Sequence, residues 1–432
     1  MTSLRTLPWP GQDSAARNPR IRPGGDQGPA GSRARLSRPL AFAAIAAIAL
    51  LFTATSAAPS PLYVVYQQEW GFSATMLTVI FGVYAIGLIG ALLTLGALSD
   101  HVGRRPVLGL AIGLEAAALV LFLLAADVPV LLLARFVQGV ATGAAITTLG
   151  AALVDLNPPH APGRARLINS IVPTTGLALG SLGSGALIQF APAPTRLVYA
   201  LLLAGMAAAA VAVAVMPETA ARRPGAVASL APRLAVPARV RAEFYALVPI
   251  TVSCWALGGL FFSLGPSDAA SLFGLTSHLI GGLVVTLLCG AGAVTTFAVR
   301  RWPAGRILTM GAVVFIAGTA VLLGGVQAGS AGLAGAGTLV AGVGFGACFL
   351  GSFGALSQMA GPGERSELFA VGYVIAYLSL SLPTVLAGLA STSFGLRSTT
   401  LGYGAAVSVL GLVALGAQRV TARRAGVSGP VS

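Results

Sequence analysis

The sequence predicts an all-α membrane protein whose twelve transmembrane helices form two six-helix pseudo-repeats. Three observations carry that prediction. The 432 residues are 56% hydrophobic and only 9% charged, whereas a soluble domain carries about 25% charged residues. The apolar residues fall into runs of about twenty, the length a helix needs to cross about 30 Å of hydrocarbon. The basic side chains are arginines, with no lysine present, and they lie almost entirely on one side of the resulting threading.

Composition also bounds function. No hydrolase elbow, zinc spacing or supported phosphate loop is present, and the polar stretches are too short to build a nucleotide site. We therefore expect no enzyme, no cofactor and no metal. Cys254, Cys289 and Cys348 lie inside apolar runs, where cysteine acts as a small packing residue. The net charge of +14 accrues at helix ends and in the first tail. It reads as a topology signal and a contact with membrane lipids, with no nucleic acid as partner. An arginine-only, alanine-rich chain points to a GC-rich bacterial genome.

The elements follow in order. Residues 1–38 are rich in Pro, Gly and Arg without hydrophobic periodicity, and read as a disordered cytoplasmic tail. The first span is expected over 39–64, ending near Tyr63, Tyr66 and Trp70 as interfacial aromatics. Ser56-Ala57-Ala58 after a basic start could mark a cleaved leader, but cleavage would leave an odd number of spans. Spans two to six are expected over 75–98, 106–126, 129–154, 167–190 and 197–216. The six-helix bundle 39–217 then gives way to a cytoplasmic linker over 218–244. The second bundle, 245–418, holds spans over 245–266, 275–299, 307–325, 333–356, 368–390 and 400–417. A short basic cytoplasmic tail, 419–432, closes the chain.

Charge orients this threading. With both termini cytoplasmic, that side holds seven arginines in the first tail, five in the linker and three in the last tail. It also holds Arg104, Arg105, Arg164, Arg166, Arg300, Arg301, Arg306 and Arg365, which leaves only Arg196 and Arg397 outside. Arginine resists translocation, so the asymmetry predicts a multi-pass protein of the bacterial plasma (inner) membrane. Arg105 and Arg306, Arg164 and Arg365, and Arg196 and Arg397 share one offset of 201 positions, as parallel repeats require.

The hairpin between spans two and three reads Gly96-Ala97-Leu98-Ser99-Asp100-His101-Val102-Gly103-Arg104-Arg105-Pro106. Gly103 can adopt the positive φ of a tight turn. Asp100 faces the negative end of a helix dipole and needs a compensating cation or a helix N-terminus. The segment resembles the G-x-L-x-D-x-x-G-R-R signature of the major facilitator superfamily (MFS). Leu131-Leu132-Leu133-Ala134-Arg135-Phe136-Val137-Gln138-Gly139 is similar to that family's fourth-helix pattern. Asp155-Leu156-Asn157-Pro158 with Arg164 and Arg166 is similar to its next loop, and Pro217-Glu218-Thr219 to the end of its sixth helix.

The resemblance implies the MFS fold and secondary transport of a small-molecule substrate by alternating access, by a monomer. It implies a cytoplasmic gate of Gly96, Asp100, Gly103, Arg104, Arg105, Asp155, Arg164 and Arg166, whose acid meets the second half when the inside closes. Arg135 lies about six residues inside its span, where an arginine costs at least about 2.5–3.5 kcal/mol. With Gln138, Gly139 and Glu115 it forms the expected coupling and cavity set. Glu115 is the one acid deep in a span, a candidate to carry protons, although its depth makes a direct pair with Arg135 doubtful.

Tyr84, Asn169, Trp255, Phe261, Phe262, Tyr373 and Tyr377 are the expected substrate contacts, an aromatic lining suited to apolar or amphipathic compounds. The expected activity is efflux of such compounds against protons. Uptake of a sugar or organic acid by symport is an alternative, and a non-transporting sensor or scaffold is an alternative of another class. The run Gly176–Gly185 is similar to the glycine-rich motif of drug/proton antiporters, with Ser181 where that motif has proline. The loss of that proline weakens an export assignment, and close helix packing explains these glycines without any function.

Overall fold

The computed structural model describes residues 36–427, except Arg233, Pro362 and Gly363; side chains are not described at 365, 366 and from 419 onward. The expected tail therefore lies outside the described residues up to position 35. Among the described residues every regular element is a helix, and twelve are long and apolar enough to cross a membrane.

The first span is built from α1 (Arg38–Ala57) and α2 (Pro59–Trp70), joined through Ala58 in a helical conformation. Then follow α3 (Ala74–Leu95), the single turn α4 (Ser99–Val102), α5 (Arg104–Leu124), α6 (Val128–Asp155), α7 (Arg164–Phe190) and α8 (Pro194–Val215). The second half comprises α9 (Arg241–Ser263), α10 (Gly265–Phe273), α11 (His278–Val299), α12 (Ala304–Ala328), α13 (Ala331–Met359), α14 (Arg365–Phe394) and α15 (Leu396–Val427).

Local chemistry sets the boundaries. Ser73, Asp127 and Ser330 precede α3, α6 and α13, and their side chains accept from the backbone N–H groups of Met76, Val130 and Leu333. Such caps satisfy donors that the first helical turn leaves unpaired. Gly71 and Gly274 end α2 and α10 in the left-handed region, at matching places in the two halves.

Several boundaries differ from expectation. The first span runs to Trp70, and Tyr63 and Tyr66 are buried. Tyr66 stacks on Trp70 at 4.7 Å. The linker yields to α9 at Arg241, a little before its predicted end. The last helix continues to Val427, through much of the segment expected to be a tail.

One core is centred on the first half and continues into the second through Leu260, Val285 and Leu380, and another lies within the second half. Leu62, Leu77, Ile80, Leu88 and Leu108 anchor the first, and Ile250, Leu257, Phe315 and Cys348 the second. The halves meet where α7 crosses α11 and α3 crosses α14. Gly282 lies so close to Ser181 that an added Cβ would stand 2.5 Å from its carbonyl oxygen. Thr286 donates to the Ala178 carbonyl at 3.1 Å, and Thr75 to the Gly388 carbonyl at 3.0 Å. Gln189 Oε1 accepts from Ser277 Oγ and from the His278 N–H. These contacts cluster away from the α4 hairpin and seal that far end.

Candidate functional site

Between the halves lies a cavity of about 1300 Å³. Its wall reaches from Ser56, Tyr63, Phe81, Tyr84, Arg135 and Phe262 down to Asp100, His101, Arg166 and Glu367 at the hairpin end. It is therefore closed at the far end and open beside the hairpin. Trp255, Tyr373, Tyr377 and Asn169 line it, as does Gly96. Trp255 packs on Tyr377 with ring centroids 5.0 Å apart, and Phe353 on Tyr373 at 4.9 Å, so the second-half wall is a continuous aromatic surface. Phe261 is a correction to the expected contact set. It packs into the core of the second half and does not border the cavity, while its neighbour Phe262 does.

The hairpin is organised by Arg104. Its Nη1 donates to Asp100 Oδ1 at 2.5 Å and to Ser99 Oγ at 2.7 Å, and its Nε donates to Asp155 Oδ2 at 3.1 Å. Thr219 Oγ1 donates to the same Asp155 oxygen. Asp100 thus finds the cation its position on the helix end requires, and its side chain stays 58% exposed. Glu218 takes a part that spacing alone does not reveal. Its two carboxylate oxygens accept the backbone N–H groups of Arg104 and Arg105, at 2.8 and 3.1 Å. An acid capping the positive end of α5 stabilises it. Gly103, at φ +103°, makes room: a Cβ there would sit 2.7 Å from Glu218.

The other expected gate residues disperse. Arg105 donates to the carbonyls of Val213 and Ala214, closing the end of α8. Arg164 is exposed over the Phe42 ring, and Arg166 stands at the cavity mouth. Among the described residues, ion pairs at this end join Arg104 to Asp100 and Asp155, and Arg239 to Glu364. The hairpin acid makes none with the second half.

Deeper in, Arg135 is 1% exposed and Glu115 fully buried. They do not pair directly. Gln138 bridges them, accepting from Arg135 Nη1 at 2.5 Å and donating from Nε2 to Glu115 Oε1 at 3.0 Å and to the Thr55 carbonyl at 3.1 Å. Arg135 lies under the Tyr84 ring at 4.4 Å, close enough for a cation–π contact. Gly139 lets α6 approach α3 here, since a Cβ would stand 2.1 Å from the Tyr84 carbonyl oxygen. A further acid, the half-buried Asp268, is not among the residues expected from sequence. It accepts from Thr400 at 3.1 Å, and its other oxygen has no partner. Tyr63 likewise keeps a buried hydroxyl without a partner.

Comparison with known proteins fits this geometry. A family model, the Major Facilitator Superfamily, matches residues 43–384. The fold is similar to that of a bacterial homolog of the human lysosomal transporter Spinster in its inward-facing, unoccupied form. That likeness has a TM-score of 0.67 at 15% identity and covers 88% of this chain and 97% of that one. It is also similar to the human organic anion transporter MFSD10, with a TM-score of 0.64 at 16% identity over 88% and 100% of the two chains. A nucleoside transporter, NupG, gives a TM-score of 0.66 at 12% identity, over 88% and 100%. Among curated proteins, an MFS-type transporter, paaT of Penicillium rubens, is 28% identical over 120 residues, 28% of this chain and 22% of that protein. The match thus spans about a fifth of that relative's length. With twelve spans in two halves around one cavity and the family model matched over most of its length, the chain belongs to the Major Facilitator Superfamily of membrane transporters.

Proposed function

We propose that the chain is a secondary active transporter that exports small apolar or amphipathic compounds in exchange for protons, by alternating access. The observation that carries this reading is the cavity, open beside the hairpin and closed at the far end. A solute path with one open mouth is half of an alternating-access cycle. The arginine asymmetry supports a bacterial plasma membrane with the hairpin and both termini in the cytoplasm, which makes this the inward-open half.

The gate reading follows. With the mouth open, Asp100 rests on Arg104 of its own hairpin. On closing, it is released to meet a helix of the second half. Glu115, Gln138 and Arg135 are the coupling set, with Gly139 holding α6 against α3. Tyr84, Asn169, Trp255, Phe262, Tyr373 and Tyr377 are the walls a solute touches. Inverted membrane vesicles loaded under an imposed pH gradient test the reading. Uptake of an amphipathic dye should follow the gradient and stop when a protonophore collapses it. Flux indifferent to the proton gradient would remove the coupling, and no flux of any amphipathic compound would remove the export activity.

A further inference from the structure

We propose that the closed end of the cavity is a carboxylate subsite, so that the compounds carried are amphipathic organic anions. The anionic head sits on Arg135 and Tyr63, and a planar aromatic body lies against the Trp255–Tyr377 wall. This names the substrate class of the export reading and rests on it for the path the solute follows.

Unused hydrogen-bond donors are the first ground. A guanidinium has five N–H groups. Those of Arg135 reach the Ser56 carbonyl and Gln138 Oε1, both through Nη1. Its Nε is buried without a partner, and Nη2 has none among the described residues. The Tyr63 hydroxyl, on the same stretch of wall, is buried and unpartnered too. Buried donors without acceptors are costly, and here two side chains, each 1% exposed, border one cavity in that state. Charge is the second ground. Of the charged side chains lining the cavity, Asp100, Arg104, Arg166 and Glu367 stand at the hairpin end, and Arg135 is alone in the depths. Glu115 does not line the cavity; it lies behind Gln138. The closed end therefore offers a cation and no acid, which favours an anion and opposes a cationic solute. Shape is the third. Trp255, Phe349, Phe353, Tyr373 and Tyr377 run ring to ring, a surface that accepts a flat apolar body. The fork of a guanidinium matches the two oxygens of a carboxylate.

The test is direct binding, which needs neither flux nor protons. The full chain in lipid nanodiscs is titrated by calorimetry, at neutral pH, with naphthalene-2-carboxylate. The neutral carboxamide and the cationic methylamine of the same ring system are titrated in parallel. The carboxylate should bind at least about tenfold more tightly than the amide, and the amine should not bind. Arg135→Gln should erase the preference for carboxylate over amide. If that variant does not fold, Tyr63→Phe should weaken carboxylate binding alone, by about threefold. Equal binding of amide and carboxylate to the wild-type chain, or a preference that survives Arg135→Gln, overturns the subsite. Neutral compounds exported without carboxylate binding would sink the subsite and leave the transport reading standing. Carboxylate bound without flux under any gradient would do the reverse.

Discussion

Asp100 belongs to the hairpin and Glu218 reaches it from the segment after α8, and the two acids have different duties there. Glu218 caps α5 through two backbone N–H groups, so Glu218→Gln should cost about 1 kcal/mol of stability, read as a lower melting temperature in detergent. Asp100 makes a half-exposed pair with Arg104, and such pairs contribute about 0–1 kcal/mol. Asp100→Asn should therefore melt almost as the wild type does, yet, on the proposed gate role, slow transport. Normal flux by a well-expressed Asp100→Asn chain would discard the gate role. The hairpin was legible in the sequence as residue types at fixed spacing, but the duty of Glu218 was not, because its partners lie more than a hundred positions away. The same holds for Gln138. The sequence grouped it with Arg135, but only the packing of α5 against α6 brings Glu115 to its amide. Phe261 and Phe262 make the point in reverse. Neighbours on a helix point about 100° apart, so one enters a core and the other a cavity, and no local signal tells them apart.

At the scale of elements, α7 shows how small residues set the approach of helices. An added Cβ at Gly180 would stand 2.0 Å from the Ala54 carbonyl oxygen, and one at Gly176 1.8 Å from Thr53 Oγ1, while Gly183 has nothing within 4 Å. Gly180→Ala should destabilise the chain by about 1–3 kcal/mol through overpacking. Gly183→Ala should be neutral or stabilising by up to about 1 kcal/mol, because alanine is the better helix former. Parallel melting curves of the two variants check this, and equal losses would contradict the packing. The glycine spacing was plain in the sequence, and so was the existence of each span. Span ends were predicted less well, for hydropathy fades gradually where a helix continues past the apolar run. Pro173, Pro249 and Pro383 lie inside helices, as membrane helices tolerate when neighbours satisfy the freed carbonyls.

At the scale of the molecule, the far end is held shut by contacts between the halves, Gln189 with Ser277 and His278 among them. Cysteines placed by Gln189→Cys and Ser277→Cys, in a chain lacking its three buried native cysteines, should cross-link on oxidation. That bond should stop flux, and reduction should restore it. Undiminished flux through the cross-linked chain would contradict a rocking cycle. Twelve spans in two halves were readable because lipid imposes length. Which end stands open was not readable, since it is a choice between two packings of one sequence.

The linker begins clasped to the first half, where the Arg223 N–H donates to the His101 carbonyl at 2.8 Å and the His101 ring meets the Pro224 carbonyl at 3.0 Å. It ends clasped to the second, where Arg239 pairs with Glu364 and donates to the Met359 carbonyl. Between those fastenings run fourteen residues, and Gly225, Ala228, Ser229 and Ala231 border the mouth. A strap of that length reaches at most about 50 Å when taut. However the halves move, those two fastenings stay leashed within that reach, so the strip travels with the mouth as part of its rim.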